Sequence, residues 1–487
     1  MKKIFFIVSI LLLSSCVFQL SLSPFSNKSF AQQEQDTSSD AVSPTGETQA
    51  VTSTNDAILK SILIISQVLV LGIVFNHLFF RIVSDRIDNQ RYYKENKINF
   101  THKDFSFEKR FTEILLLGSI SIISASTGAI LLQAYELSNQ IQLDISTAFS
   151  ILYSTSVGQV WIIRIITSLL FIGLITCHYM LQKKQKNVGK IESIQNQKEN
   201  KKTLNSSFII LIILSAMVII ASINLYSNSM VSHSNALKAF SVFAVPIDWL
   251  HFIAVSIWVG GLLYISLIIL KRHKSYLIVD NKNNKIKEII ESHQILLLLS
   301  YFSYIAVVSL CIIGITGLYL ALIHLQSINA IFYTMYGKIL IIKLSLAFPM
   351  ILIGRYNQNK IQSSIKSTKD ILISNHNNNN HDLNNFNGAG KKDSFPDTIN
   401  KSVKIELLLG ISVLIAASFL SITSPPSLET TTPINQNNIN TNPVTNTLNW
   451  NFSLISLSLS IIIIIIGIIN FKLNRQRIRD SIIRFGI

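Results

Sequence analysis

Five side chains in this sequence combine the donor types that hold a soft or borderline metal ion. His233, His251 and His324 offer imidazole nitrogens, while Met230 and Met335 offer thioether sulfurs. Imidazole and thioether together suit copper, Cu(I) above all, whereas hard cations demand oxygen ligands. A lone interfacial histidine needs no function. Three that converge on one side of a membrane, with Met230 just ahead of His233, form a candidate ligand set. His77 and His178 end their apolar segments on the opposite side, and His376 and His381 fall in an Asn-rich stretch where they read as incidental.

The motif with most internal order runs Asp248-Trp249-Leu250-His251 and then Trp258-Val259-Gly260-Gly261. At helical spacing, His251, Val255, Trp258 and Leu262 share one stripe, about one turn and more into the apolar segment. Asp248 stands one turn before His251, where its carboxylate can orient the ring as an acceptor behind a metal. Gly260 and Gly261 carry no side chain, so a second helix or a ligand can approach closely. Without a metal, the same motif reads as helix packing with an incidental histidine. Two charges lie deep in apolar segments, Arg164 and Lys343, where ionisable groups are costly. They read as structural partners of a carboxylate or of helix-end carbonyls, or as part of a transport route. Lys60, Glu113, Lys338 and Glu406 lie nearer segment ends, from which they can snorkel to the interface.

The elements that must position these groups follow from composition. The 487 residues are 49% hydrophobic and 14% charged, with mean hydropathy +0.42, against roughly a quarter charged in soluble domains. Nine apolar segments occur, approximately 57–80, 111–134, 157–181, 206–226, 247–270, 295–323, 336–354, 405–423 and 452–470. About 20 apolar residues carry a helix across the hydrocarbon core. Lipid leaves helices as the way to satisfy the backbone, because the alternation of a membrane barrel is absent here. The expected fold class is all-α, a polytopic bundle of about eight spans plus one appended C-terminal span.

Charge sets the expected orientation. Of 42 Lys and Arg, 34 fall in the segments 81–110, 182–204, 271–294, 355–404 and 471–487, and the alternate loops hold only Lys238. The positive-inside rule places the mature N-terminus outside, the C-terminus in the cytoplasm and the chain in the plasma membrane as a multi-pass protein. The net charge of +16 is thereby explained without nucleic acid. Cys16, Cys177 and Cys311 form no Cys-x-x-Cys pair, and no phosphate-binding loop occurs, so this chain alone carries neither a thiolate knuckle nor ATP-driven pumping.

Residues 1–31 read as a signal peptide, with Lys2 and Lys3 before an apolar run and Ser29-Phe30-Ala31 at its end; Leu13-Ser14-Ser15-Cys16 offers lipidation as the alternative to cleavage. Residues 32–56 form a disordered extracytoplasmic lead-in, and 57–426 the membrane domain. Within it, 361–400 is a cytoplasmic low-complexity linker. An extracytoplasmic linker at 427–451 leads to the transmembrane helix 452–470 and a basic cytoplasmic tail, 471–487.

At these residues the sequence resembles the CopD copper-resistance family. The likeness rests on Asp248, His251, Trp258, Gly260 and Gly261, with His233 upstream. It continues through Gly158-Gln159-Val160-Trp161 with Arg164, through Thr316-Gly317-Leu318, and through Tyr336-Gly337-Lys338 with Lys343. It ends with Ser402-Val403-Lys404-Ile405-Glu406 and Pro425-Pro426. The resemblance implies a non-enzymatic inner-membrane copper transport protein that takes metal from an extracytoplasmic CopC-like carrier. Some relatives fuse a CopC-like domain ahead of the membrane part, and residues 32–56 are too short for one. A separate carrier or free copper ion is therefore the expected source. Uptake is favoured over efflux.

Two other classes fit part of the pattern. His77 with His178, and His251 with His324, could supply axial pairs to haem in a membrane oxidoreductase or electron carrier. A copper sensor or cuproenzyme assembly factor would use the same ligands without transport.

Overall fold

The computed structural model describes residues 54–88, 105–192, 200–236, 241–270, 285–325, 327–377 and 395–429. The expected leader, the appended span 452–470 and the basic tail lie outside the described residues. Within them the chain is helical and no strand occurs. The helices are α1 (Thr54–Asp88), α2 (Phe105–Ile141), α3 (Ile145–Ser154), α4 (Ser156–Glu192), α5 (Asn200–Met230), α6 (His233–Ala236) and α7 (Ser241–Val255). There follow α8 (Gly261–Tyr264), α9 (Lys285–Leu325), α10 (Ala330–Tyr333), α11 (Met335–Asn377), α12 (Phe395–Leu420) and α13 (Pro426–Glu429). Two π-turns, Ser256–Gly260 and Ile265–Ile269, join α7 and α8 into one continuous span.

Eight helices among the described residues are long and apolar enough to cross a membrane, from Asp56–Ser84 to Lys401–Leu420. The protein is an all-α polytopic membrane protein. At its centre α1 packs against α2, α5, α12 and the π-turn after α7, and α7 in turn packs on α9. The fifth span, Ser241–Ile269, is the most enclosed, with 72% of its most apolar stretch buried against 11% for Met335–Ser367. The latter turns Leu344, Phe348 and Leu352 outward, a stripe at helical spacing that suits contact with lipid.

Glycine permits the central crossing. A Cβ on Gly260 would come within 2.6 Å of the Gly72 Cα on α1, and one on Gly261 within 2.9 Å of the Asn76 amide. Asn76 Nδ2 donates to Gly72 O at 2.8 Å and to Ile257 O at 3.0 Å. It thus adds a partner where the π-turn disturbs the backbone ladder, as such turns do near functional sites.

Two spans start by the same device. Thr155 and Thr334 adopt extended backbone after the short helices α3 and α10. Their hydroxyls accept from Gly158 N at 3.2 Å and Gly337 N at 3.0 Å, which caps α4 and α11. Arg164 and Lys343 each follow their glycine by six residues. Both charges are therefore set about 9 Å into a span by one rise rule.

Candidate metal centre and its polar column

At the bundle end where α5 finishes, the chain turns through α6 and brings His233 to the end of α9. The His233 and His324 ring centroids lie 6.3 Å apart at 77°. An imidazole nitrogen bonds a metal at about 2.0–2.1 Å, which puts a ring centroid about 3.2 Å from the ion, so this separation fits two rings on nearly opposite sides of one ion. His233 Nε2 and His324 Nδ1 are buried without a hydrogen-bond partner. Ser234 Oγ lies 3.4 Å from His324 Nε2, and the Tyr336 ring of α11 is 6.1 Å from the His324 ring. Burial, aided by the Lys60 charge and opposed by a backbone contact at Thr423, pushes His233 down to about 4. Its imidazole is therefore neutral at neutral pH, the form that ligates metal. Lys60 is itself anchored, donating to Ser421 O at 3.0 Å.

The structure does not bring His251 to this pair. Helix α7 begins at Ser241 and carries Pro246 within it, so His251 lies about 15 Å from the helix start rather than one turn in. Its Nδ1 is 2.9 Å from Thr316 Oγ1 on α9, eight residues, or about 12 Å, before His324. Of the sulfur candidates, Met230 is packed against the core and Met335 is 51% exposed at the start of α11.

Between the two levels runs a column of polar groups. Asp248 lies against the hydroxyls of Ser229 and Ser232 and within electrostatic reach of Lys343 and Tyr336. Its Oδ2 is buried and has no hydrogen-bond partner. Lys343 acts on both Asp248 and His251. The sequence of groups is thus His233 and His324, then Tyr336 and Asp248, then Lys343 and His251. Further along the fifth span, Trp258 interacts with Glu406, which is 3% exposed and accepts from Asn357 Nδ2 at 3.0 Å. Glu406 is buried and bonded instead of snorkelling.

Arg164 stands apart. It is 2% exposed, and it donates to Ser227 Oγ at 2.6 Å, Ser227 O at 3.1 Å and Asn228 Oδ1 at 3.0 Å. Its guanidinium carbon is 4.2 Å from the Trp161 ring centroid. These acceptors lie in the last turn of α5.

Sequence reasoning missed a group at the opposite end of the bundle, where His77, Glu108 and His178 meet with all three buried. Glu108 falls before the apolar segment expected from 111, whereas α2 begins at Phe105 and includes it. The available signal was that all three residues mark the same end of three successive spans. The group bears on haem. Although the His77 and His178 centroids are 6.1 Å apart, the Glu108 carboxylate reaches both rings and Phe111 touches both, at 3.9 and 5.8 Å. Protein fills the space that a porphyrin plane would need, so these residues do not fit haem.

Fold and site together define a polytopic helical membrane protein with a polar column built from its fifth, sixth and seventh spans. Residues 296–420 match the family model CopD, copper resistance protein D, the family that the sequence motifs resemble. The matched stretch, about a quarter of the chain, contains Thr316, His324, Tyr336, Lys343 and Glu406. Comparison with curated proteins and with solved structures gave no match.

Proposed function

We propose that this protein is a membrane copper transporter that takes copper at an extracytoplasmic site and passes it inward along the column. The reading rests above all on the apposition of His233 and His324, which carry buried nitrogens without partners. One of the two lies on the CopD-matched stretch. Copper is here the substrate. His233 and His324 form the receiving pair, with Met230 and Met335 available to a Cu(I) ion at the mouth. Asp248 and His251 act as successive relay groups, and Lys343 sets the local charge. Gly260 and Gly261 hold the helices close enough for Trp258 to shape the passage.

The 34-to-1 distribution of loop charges supports a plasma-membrane protein with the His233 end outside and the C-terminus in the cytoplasm. On that orientation a CopC-like extracytoplasmic carrier is the natural donor, and the direction is uptake. The membrane domain comprises residues 57–426, flanked by a signal peptide and an appended C-terminal span. On this reading the protein is transporter-like rather than an enzyme.

The test is copper entry into proteoliposomes that contain the purified full chain. Wild type should load copper, and His233→Ala or His251→Ala should each reduce the rate at least about tenfold, since loss of even a supporting group costs that much at metal sites. Wild-type rates in either variant would remove the route.

A further inference from the structure

A cluster of potential metal ligands is built into the opposite end of the bundle. His77 on α1, Glu108 on α2 and His178 on α4 are 0%, 2% and 1% exposed. One nitrogen from each histidine and a carboxylate oxygen lie within 4.8 Å of one another. Glu108 Oε1 is 3.8 Å from His77 Nε2, and Oε2 is 4.0 Å from His178 Nε2. Both distances exceed a hydrogen bond. Neither Glu108 oxygen nor His178 Nε2 has a hydrogen-bond partner. A buried carboxylate left without donors is costly. Ligands about 2.0–2.2 Å from one ion stand about 3.3–3.5 Å apart, so side-chain movements on the order of an ångström would let one ion satisfy all three groups.

The surroundings orient the donors. His77 Nδ1 lies 3.0 Å from Tyr264 Oη, which leaves Nε2 to face Glu108, the arrangement by which an outer partner aims a ligating imidazole. Phe111 stacks on the His77 ring at 3.9 Å and meets His178 edge-on, holding both rings in an apolar wall. Arg81 is within electrostatic reach of Glu108 and His178. Its like charge opposes a bound cation, which makes the Glu108 carboxylate indispensable.

The structure assigns His77, Glu108 and His178 as a binding site for a divalent first-row transition ion of the Zn(II) class, with one coordination position open. Two imidazoles and a carboxylate suit such ions, while Cu(I) favours sulfur and Ca(II) or Mg(II) oxygen. The site is outside the CopD-matched stretch and independent of the copper route, because it shares no residue with the column.

Co(II) is the probe, since its visible absorption reports nitrogen and oxygen coordination at low symmetry. The metal-stripped full chain in detergent is titrated with Co(II), and Zn(II) is then added in competition. Wild type and His233→Ala should each bind one Co(II) with strong visible bands that Zn(II) abolishes. Glu108→Gln and His178→Ala should weaken binding at least about tenfold. Glu108→Gln keeps shape and removes charge, so it serves if His178→Ala fails to fold. Monodisperse wild type with no Co(II) bands would overturn the assignment. So would bands that persist unchanged in Glu108→Gln, or bands lost only in His233→Ala.

Discussion

His251 Nδ1 and Thr316 Oγ1 are 2.9 Å apart, and the Thr316 hydroxyl donates to Ile312 O at 2.6 Å. Its proton being thus committed, the oxygen can only accept from His251. The ring therefore carries its proton on Nδ1 and keeps the Nε2 lone pair, the form a relay ligand requires. Gly317 adjoins the same ring, since a Cβ there would lie 3.2 Å from His251 Cε1. One turn of α9 thus fixes the tautomer and position of the histidine on α7.

Thr316→Val should remove the acceptor and leave the ring N–H without this bond, at about 1–2 kcal/mol. Thermal unfolding in detergent should show lower stability than wild type, and copper entry into proteoliposomes should fall. Thr316→Ser keeps the hydroxyl and should restore both. Equal behaviour of the Val and Ser variants would show that the contact does not set the ring.

Gly260→Ala tests the central crossing. Its methyl would meet the α1 backbone at Gly72, where no flexible side chain can give way, and overpacking of this kind costs about 1–3 kcal/mol. The variant should lose thermal stability, and changing Gly72 to Ala as well should worsen it. A stable Gly260→Ala protein would mean that α1 and the fifth span can separate at little cost.

Protonation of His233 gives a pH signature. Burial lowers it from its ordinary value near 6.5 to about 4. The unfolded chain therefore takes up this proton before the native state does, and the contribution to native stability falls as pH drops from about 6.5 towards 4. Metal binding at this nitrogen should stay nearly flat from neutral pH to about 5 and weaken only on approach to 4. Copper titrations across that range would show it. An affinity already falling between about 7 and 6 would place the histidine in water.

How much of this was legible beforehand varies with the physics involved. The eight spans among the described residues show in the sequence because lipid imposes the same demand on every crossing residue. His233 and His324 were readable as same-side groups, since loop charge sorts the ends of spans. Their apposition at 6.3 Å was not, because it depends on which helices are neighbours. The depth of His251 was not readable, because the apolar segment from 247 begins inside a helix that starts at Ser241 and runs through Pro246. Glu406 was hidden by the rule that end charges snorkel, which says nothing of a charge turned inward onto a partner, and Glu108 by a segment boundary set at 111. The shared start of α4 and α11 is written in Thr155-x-x-Gly158 and Thr334-x-x-Gly337, of which only the glycines figure in the motifs quoted above.

Orientation has its own test. In a chain lacking Cys177 and Cys311, a cysteine placed at Asn437 should react with an impermeant thiol reagent in intact cells, and one at Asn387 should not. The 34-to-1 division of loop charge is the warrant. The reverse pattern would turn the His233 end towards the cytoplasm and make the column an exit route.

The central claim is that His233 and His324 hold copper together, and copper-edge X-ray absorption on the purified full chain reads it most directly. One bound copper with two imidazole scatterers is expected in wild type, with one imidazole left in His324→Ala and in His233→Ala, and the wild-type signal kept in His178→Ala. A spectrum that keeps both imidazoles when His233 or His324 is removed would contradict the account.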